Sequence, residues 1–165
     1  MPNVIAGAQV TLRELTTEQA AELLSDGTPE AGWAPGYPFS GTQSAASSLV
    51  DRAPDQLRPG FGMYQIVRNE DGLVVGDIGF HAPPDNGSVE VGFGLIQSAR
   101  GMGLAKDALR TLTSWALEQD GVDQITAKTT KVNLPSRAVL ESCGFRAARE
   151  GGDQITFVLA KRPGL

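Results

Sequence analysis

The sequence predicts one α/β domain over residues 1–165, built around a mixed, mostly antiparallel sheet of about seven strands with about four helices. The length suits a single domain with its own core, and 41% hydrophobic with 20% charged residues is ordinary for a globular protein. Short segments in which apolar and polar residues alternate recur along the chain and predict strands. One longer segment has helical spacing instead.

The first half of the chain predicts four strands and two helices. Alternation indicates strands at Gln9–Arg13, Phe61–Arg68, Leu73–His81 and Ser88–Ile96. Thr16 and Gln19 have capping-box spacing, which predicts a short helix over residues 20–24, and a second helix is expected over residues 42–52. The intervening segment has the composition of a loop and holds three aromatic residues, Trp33, Tyr37 and Phe39.

The second half changes period at a long amphipathic helix. Apolar residues from Leu104 to Ala116 form a stripe at helical spacing, and Gly121 marks the end of this segment. A strand, a short helix and a closing hairpin follow, at Val122–Thr130, Pro135–Cys143, Phe145–Glu150 and Gln154–Ala160. No internal repeat or low-complexity tract interrupts this order, so one domain accounts for the chain.

Composition argues against several classes of protein. No run approaches the ~18 apolar residues of a membrane span, and the first residues lack the pattern of a signal peptide, so we expect a cytoplasmic protein without a membrane partner. The single cysteine, Cys143, excludes an internal disulfide, and no cysteine–histidine cluster is present to bind a metal. Basic and aromatic residues do not form a common stripe, which argues against nucleic-acid binding.

The net charge of −5 is unevenly distributed along the chain. Residues 1–99 carry four basic and twelve acidic side chains, whereas residues 100–137 carry six basic and four acidic ones. An acidic half beside a locally basic segment suggests a cationic acceptor on one side and a polyanionic cofactor on the other. A solvated surface without such partners would give the same counts.

The most informative segment spans residues 89–105. It predicts a strand, a glycine-rich turn and the first turn of a helix, so that unpaired N–H groups and the positive end of the helix dipole converge on one point. Gly101 and Gly103 remove the side chains that would keep an anion from the backbone. On the preceding strand Glu90 shares one face with two glycines, which leaves room for a ligand; a β-bulge is the alternative explanation.

Two motifs resemble the GNAT superfamily of acetyltransferases. Arg100-Gly-Met-Gly-Leu-Ala105 matches the superfamily's R/Q-x-x-G-x-G/A signature. About 30 residues later, Asn133-Leu-Pro-Ser136 followed by Gly144-Phe145 is similar to the second block of the RimJ/RimL-like branch, the ribosomal-protein-alanine acetyltransferase type. The order of elements agrees over the whole chain, most sharply over residues 88–145. A P-loop nucleotide enzyme is disfavoured, because the P-loop lysine arrangement is missing.

This resemblance implies a GNAT fold with splayed central strands, and acetyl-CoA as co-substrate without a metal. The diphosphate of acetyl-CoA would bind the main-chain amides of six consecutive residues, Arg100, Gly101, Met102, Gly103, Leu104 and Ala105. The pantetheine arm would lie between the strands at residues 88–96 and 122–130, and would pair with the backbone near Leu95 and Ile96.

The resemblance also implies cofactor contacts from the second motif. Asn133 would bind the pantetheine arm or its surroundings, with a helix-cap role as the alternative. Because Pro135 disfavours helical geometry at the preceding residue, the cap is expected at Leu134, which would leave Asn133 free. Arg137 would meet the phosphates or the adenine, unless its side chain faces solvent.

Acetyl transfer to an amine needs a base, donors for the negative charge that develops on the carbonyl oxygen, and help for the departing thiolate. Glu90 is the predicted base, directly or through water, on the expectation that it is buried; a carboxylate paired with a basic residue is the alternative. N–H groups near residues 94–96 are the predicted donors. Ser136 is predicted to hydrogen-bond or protonate the sulfur, because Leu140 stands where many GNAT enzymes have a tyrosine; a hydroxyl bonded to the helix backbone is the alternative.

Three further predictions concern residues around this site. His81, the single histidine, is a second candidate for the base. Cys143 is expected to be a buried apolar side chain rather than a nucleophile. The aromatic residues of the first loop either line an acceptor pocket or pack beneath the loop.

Two functions remain open at this point. The first is an acetyl-CoA-dependent N-acetyltransferase in which a primary amine attacks the thioester directly, the acceptor being a protein N-terminus, an amino acid, or an amine-bearing metabolite or antibiotic. The second is a sensor or interaction module that binds CoA or acyl-CoA with little activity. The missing tyrosine favours the second function, and Glu90 and Ser136 favour the first. A homodimer is compatible with both.

Overall fold

The computed structural model describes residues 3–25 and 32–161, and within them eight strands form one sheet accompanied by four α-helices. The strands are β1 (Val4–Ala6), β2 (Val10–Glu14), β3 (Met63–Arg68), β4 (Val74–Phe80), β5 (Ser88–Leu95), β6 (Gln124–Thr130), β7 (Arg146–Gly151) and β8 (Gln154–Ala160). The helices are α1 (Thr17–Ser25), α2 (Ser40–Val50), α3 (Leu104–Leu117) and α4 (Leu134–Ser142). The sheet order is β1-β2-β3-β4-β5-β6-β8-β7.

The seven predicted strands and four predicted helices are confirmed within a few residues of their expected bounds. The capping box before α1 is present, since Thr16 N–H donates to Gln19 Oε1 at 2.9 Å and Gln19 N–H donates to Thr16 Oγ1 at 3.1 Å. Strand β1 is an addition, because three residues are too few to show alternation. It pairs antiparallel with β2, with Val4 opposite Arg13.

The core forms where the apolar stripe of α3 meets the sheet. Helix α3 contacts β1, β2, β5 and β6, while α2 contacts β3 and β4. Five residues of the stripe are at most 4% exposed, namely Leu104, Ala108, Leu109, Leu112 and Ala116. A second apolar cluster joins α1 and α2 to Met63 of β3. The two packed layers hold β4 and β5 rigidly in the middle of the molecule.

The central strands β5 and β6 part after a short parallel pairing. Ser88–Glu90 of β5 pair with Gln124–Thr126 of β6, and no pairing between these strands continues beyond Glu90. Strand β5 stays bonded to β4 as far as Leu95, whereas β6 stays bonded to β8 as far as Thr130. Each strand therefore follows its outer neighbour. The resulting β5–β6 gap, which starts at Glu90, confirms the predicted splayed strands.

Candidate functional site

The main chain of β5 presents hydrogen-bonding groups to the β5–β6 gap. Ile96, directly after β5, donates its N–H to the Val75 carbonyl of β4 at 2.9 Å. Neighbouring residues in a strand direct their main-chain groups to opposite edges, so Phe93 and Leu95 direct theirs into the gap. Of the two residues predicted to pair with an extended ligand, Leu95 has the open backbone groups, because the N–H of Ile96 is taken.

The glycine turn at residues 100–105 leaves its backbone accessible. Gly101 and Gly103 have φ angles of +83° and +79°, a left-handed conformation that side chains disfavour. A Cβ atom at Gly101 would meet nothing within 4 Å, and one at Gly103 would meet Gln9 Nε2 at 3.8 Å. Arg100 donates its N–H to the Gln97 carbonyl at 3.2 Å, so the available amides begin at residue 101.

The start of α3 adds charge and donors to this turn. Gly103 is the N-cap, and the N–H groups of Leu104 and Ala105 lie in the first helical turn, where they have no partner within the helix. The positive end of the helix dipole lies at the same place. The exposed side chains of Arg100 and Met102 border the turn. The open glycines, free amides and basic side chain together fit a diphosphate.

A buried carboxylate that the sequence analysis missed fastens the β1–β2 turn to this helix. Asp107 of α3 is 9% exposed and accepts N–H bonds from Gln9 at 2.8 Å and Val10 at 3.1 Å, with Ala8 at 3.4 Å. The β1–β2 turn consequently forms a second side of the glycine turn. The signal was present as a lone acid among the apolar residues of α3, but its partners lie about 98 residues earlier.

Helix α4 begins one residue before the expected position. Asn133 is the N-cap, and its side-chain oxygen accepts the Ser136 N–H at 3.2 Å, so the predicted cap at Leu134 is wrong. Pro135 occupies the first turn, where its missing N–H costs no helical bond. The cap role weighed for Asn133 is therefore present, and its side-chain N–H groups are not part of the cap. Arg137 donates from Nη1 to the Lys131 carbonyl at 2.9 Å and stiffens the β6–α4 turn.

The two candidate bases lie side by side where β5 and β6 part. Glu90 Oε2 lies 3.5 Å from His81 Nε2, and Glu90 Oε1 lies 3.8 Å from Lys128 Nζ. The Glu90 side chain is 33% exposed, so it is half-buried rather than buried as expected, and the ion pair weighed as its alternative role is present. The opening of the gap at this residue lets solvent reach the carboxylate. The Glu90 carboxylate therefore lies close to His81 and is accessible to solvent.

A bare strip of sheet connects this cluster to the interior. In the β4–β5 register Gly79 lies opposite Gly92 and Asp77 lies opposite Gly94, and the register runs without a shift, which removes the bulge explanation. A Cβ at Gly92 would lie 3.0 Å from His81 Nε2, and one at Gly94 would lie 3.0 Å from a ring carbon of Phe39. A side chain at either position would therefore crowd the neighbouring imidazole or phenyl ring, and both glycines line open space.

A cavity of about 290 Å³ lies between this strip and α2, and we refer to it as the α2 cavity. Its helix wall consists of Leu49 and four small residues at helical spacing, namely Gly41, Ser44, Ala45 and Ser48. Phe39 and His81 also line the cavity. Most of its surface is apolar, and Asp77 contributes a carboxylate.

Asp77 is the second functional candidate that the sequence analysis missed. It is 5% exposed and accepts hydrogen bonds from Tyr37 Oη at 2.5 Å and from Thr42 Oγ1. Burial raises the pKa of Asp77 to about 6, and its two hydroxyl donors oppose that rise. Burial and the Asp77 carboxylate raise the pKa of Tyr37, which keeps its hydroxyl protonated. A single acid within the apolar strand β4 was the available signal.

The aromatic loop, residues 32–39, packs and lines a cavity at the same time. Tyr37 is buried and makes edge contacts with the rings of Trp33 and Phe39, whose centroids lie at 5.4 and 6.3 Å. Trp33 and Tyr37 belong to the core, and Phe39 lines the α2 cavity. The two roles weighed for these residues are therefore divided among them.

Two other residues considered in the sequence analysis, Leu140 and Cys143, pack within the protein. Leu140 is 1% exposed within the core, and Cys143 is half-buried, with its thiol donating to the Lys106 carbonyl at 3.5 Å. Burial raises the pKa of Cys143, which disfavours the thiolate. Among residues 3–25 and 32–161, no helix has the length and apolar character to cross a bilayer. The same residues contain no group of three or more acidic, histidine or cysteine side chains placed to bind a metal.

Comparison with known proteins identifies a family for most of the chain. A family model described as an acetyltransferase (GNAT) domain matches residues 9–146. An uncharacterised N-acetyltransferase, YjdG of Bacillus subtilis strain 168, is 39% identical over 87 residues, which is 52% of this chain and 52% of that protein. An uncharacterised N-acetyltransferase of Bacillus licheniformis, p20, is 30% identical over 84 residues, or 50% of this chain and 47% of that protein. The chain thus spans about half the length of the curated relatives it matches.

A solved structure supports the same fold. Mycobacterium smegmatis RimJ in complex with a CoA disulfide has a TM-score of 0.66 and 22% sequence identity, over 96% of this chain and 88% of that one. At this identity the likeness concerns the fold.

Proposed function

The chain belongs to the GNAT acetyltransferase family, and we propose that it transfers an acetyl group from acetyl-CoA to a primary amine by direct attack. One observation carries this proposal: the β5–β6 gap starts at Glu90 and runs along open main-chain groups toward the glycine turn. An extended thioester carrier with an anionic end matches that path. A carboxylate stands where the carrier's reactive end would lie.

The residues along the gap fit acetyl-CoA in chemical type. The amides of residues 101–105, the positive N-terminal end of the α3 dipole and the Arg100 side chain would bind the diphosphate. The main chain of Leu95 would pair with the pantetheine arm as a neighbouring strand does, and Asn133 and Arg137 would contact the carrier from α4. Acetyl-CoA supplies the activated acyl group, and no metal is needed for this chemistry.

Proton transfer is the main chemical task of the side chains. Alkyl amines are protonated at neutral pH, so the acceptor must lose a proton before its nitrogen can attack. Glu90 takes this proton directly or through water, with His81 at 3.5 Å as a second acceptor. The nitrogen then bonds to the acyl carbon and the carbon–sulfur bond breaks. The nitrogen loses its second proton to solvent, in which case the sulfur leaves as thiolate, or to the sulfur, which then leaves as thiol.

Stabilising the departing sulfur is the second chemical task of the side chains. Ser136 stands at the first turn of α4, its N–H held by Asn133 at 3.2 Å. We assign its hydroxyl to stabilise the sulfur by a hydrogen bond, because the buried, apolar Leu140 has no proton to give. Main-chain N–H groups that face the gap, such as that of Leu95, would stabilise the developing negative charge on oxygen.

The acceptor is an amine of one of three classes: a protein N-terminus, an amino acid, or an amine-bearing metabolite or antibiotic. The half-buried Glu90 and the apolar α2 cavity suit a cationic group attached to an apolar body. The homodimer, the cytoplasmic location and the extent of one domain over residues 1–165 stay predictions.

A sensor that binds CoA or an acyl-CoA without transfer is the alternative function. The ion pair between Glu90 and Lys128 and the leucine at position 140 support it. The experiment that separates the two functions combines calorimetry with CoA and thiol release from acetyl-CoA over a panel of primary amines. We expect micromolar binding and amine-dependent thiol release. Tight binding with no thiol release from any amine would show the sensor instead.

A further inference from the structure

We propose that Phe39 limits the size of the acceptor and that Asp77, acting through Tyr37 and Thr42, holds Phe39 in place. This inference rests on the proposed acetyl transfer and adds a specificity-determining residue and a positioning residue to it. The acceptor class it indicates is a primary amine with a compact apolar body. The glycines Gly92 and Gly94 form the surface along which that body would lie.

The ring of Phe39 covers the point where the α2 cavity meets β5. A side chain at Gly94 would lie 3.0 Å from the ring, and one at Gly41 would lie 2.9 Å from it. The ring is therefore confined between the strand and the first turn of α2. His81, which lies 3.5 Å from Glu90, lines the cavity beside Gly92, and Phe39 lines it beside Gly94. An acceptor that extends from the His81 side along these two glycines therefore meets the Phe39 ring.

Two hydroxyl groups on either side of Phe39 bind one buried carboxylate. Tyr37 Oη and Thr42 Oγ1 both donate to Asp77, whose residue lies directly opposite Gly94 in the sheet. The Phe39 N–H also donates to Thr42 Oγ1 at 3.3 Å. The six-residue segment 37–42, which contains Phe39, is thus held at both ends by Asp77. Asp77 belongs to the sheet that the Phe39 ring covers.

Main-chain bonds fix the other end of the loop independently of Asp77. The Ala34 N–H donates to the Val74 carbonyl at 3.0 Å, and the Val74 N–H donates to the Gly32 carbonyl at 2.9 Å. Replacing Asp77 should therefore free the segment around Phe39 without detaching the loop from β4. This separation allows a positioning role to be distinguished from loss of the fold.

The volume of the cavity sets the expected size of the acceptor. A cavity of about 290 Å³ admits a small apolar body and not a large one. The small residues of α2 add no further barrier. An amine with an apolar body of up to this size should enter, and a larger body should be excluded by Phe39.

The test uses the full chain, acetyl-CoA and graded amines: linear alkylamines from propyl to decyl, then benzylamine, phenethylamine and tryptamine. For the wild type we expect kcat/KM to fall beyond a size limit. Phe39→Ala should shift that limit to larger amines and change the ratio of large to small substrates at least tenfold, and Phe39→Trp should shift it to smaller ones. Trp33→Phe, in the same loop but outside the lining of the α2 cavity, is the matched control and should leave the profile unchanged.

Asp77→Asn tests the positioning role. It should relax the size limit in the same direction as Phe39→Ala, raise the acceptor KM more than it lowers kcat, and leave the CoA Kd within twofold. In a Phe39→Ala background it should add little, because the ring it positions is gone. Independent effects of the two substitutions on the size profile would overturn the role of Asp77. Circular dichroism would show whether Asp77→Asn unfolds the chain. In that case Tyr37→Phe and Thr42→Val replace it as tests.

The outcomes also separate this inference from the proposed function. A wild type that transfers acetyl groups, with a size profile that Phe39→Ala does not move, contradicts the inference alone. Absence of transfer with every amine contradicts the proposed function. In that case calorimetric binding of the same amines to wild type and Phe39→Ala still measures the size limit, and equal or absent binding in both proteins overturns it.

Discussion

The two sides of the site are assembled from different parts of the polypeptide. On the proposed carrier side, most of the groups are main-chain groups, those of Leu95 and of residues 101–105, and they depend on the absence of a side chain at Gly101 and Gly103. On the acceptor side, Phe39, Asp77 and Glu90 come from three separate segments. Main-chain sites tolerate sequence change, whereas side-chain sites depend on each contributing residue.

If the proposed site is correct, this difference predicts that acceptor choice and carrier binding can be changed separately. The carrier side depends on backbone conformation at Gly101 and Gly103, which a short motif is sufficient to specify. The acceptor side depends on what fills the space around Gly92 and Gly94. A change at Phe39 should alter the acceptor and leave the carrier unaffected. A change at Gly103 should do the reverse.

The largest effect is expected when Glu90, the proposed base on the acceptor side, is replaced. Glu90→Gln should lower kcat by about 10²–10³-fold, because the acceptor loses the group that takes its proton, and the deficit should be greatest below pH 7, where amines are most fully protonated. The CoA Kd should stay within twofold. Lys128→Met removes the other partner of the ion pair and should cost much less. Equal losses in the two variants would mean that the ion pair, rather than proton transfer, is what Glu90 provides.

His81→Gln is the second control for Glu90. A smaller loss than that of Glu90→Gln is expected, since His81 lies 3.5 Å from Glu90 and is more exposed. A larger loss would assign the base to His81.

The next largest effect is expected on CoA affinity when Gly103, on the carrier side, is replaced. Gly103→Leu should weaken CoA binding about 100-fold, or about 2.7 kcal/mol, because the side chain fills the turn and the left-handed backbone is strained. Gly72→Leu is the matched control, since Gly72 has a φ of +72° and open space around it, in the turn between β3 and β4. Calorimetry with CoA should find normal affinity in the control. Equal affinities in both variants would place the carrier elsewhere.

The fold and the carrier side could be predicted from the sequence for a physical reason. Alternation, helical spacing and glycine position are local properties, and they specified β5, the turn at residues 100–105 and α3. The gap between β5 and β6 required the family resemblance, since no local pattern shows where two distant strands stop pairing. Strand β1 was missed because three residues carry too little pattern.

The acceptor side was predicted less completely because its contacts are long-range. Asp77 binds hydroxyl groups 40 and 35 residues earlier, and nothing near it in sequence indicates those partners. Asn133 was misjudged for another reason. Two local rules competed, the effect of Pro135 on its neighbour and the preference of asparagine for the N-cap, and the cap prevailed because Pro135 falls in the first turn.

A smaller effect is expected in the pH dependence of the free energy of unfolding, to which Asp77 contributes. Burial raises the pKa of Asp77 from an ordinary value of 3.8 to about 6, so between these values the folded protein binds a proton that the unfolded chain does not. The contribution of Asp77 to the free energy of unfolding should therefore grow as the pH falls through 6. Relative to Asp77→Asn, the wild type should gain about 1 kcal/mol between pH 7.5 and pH 5.

Urea unfolding of both proteins at the two pH values measures this gain. The subtraction removes the contributions that the two proteins share, including that of His81, which also lines the α2 cavity. Tyr37, the other titratable residue that faces Asp77, stays protonated over this range because its pKa is raised. A difference that does not change with pH would place the Asp77 carboxyl in a more polar environment than the structure shows.

The smallest expected effect concerns the departing sulfur, where the two sides meet. Ser136→Ala should lower kcat a few-fold, because a hydroxyl with a high pKa stabilises a thiolate by one hydrogen bond and does not supply its proton. The acceptor KM and the CoA Kd should stay constant, since Asn133 continues to cap α4 through the main-chain N–H of residue 136. Ser142→Ala, at the other end of the same helix, is the matched control. A series of acyl thioesters with thiols of decreasing pKa should show the Ser136→Ala deficit shrinking as the leaving group improves, and a constant deficit would assign the hydroxyl to the helix.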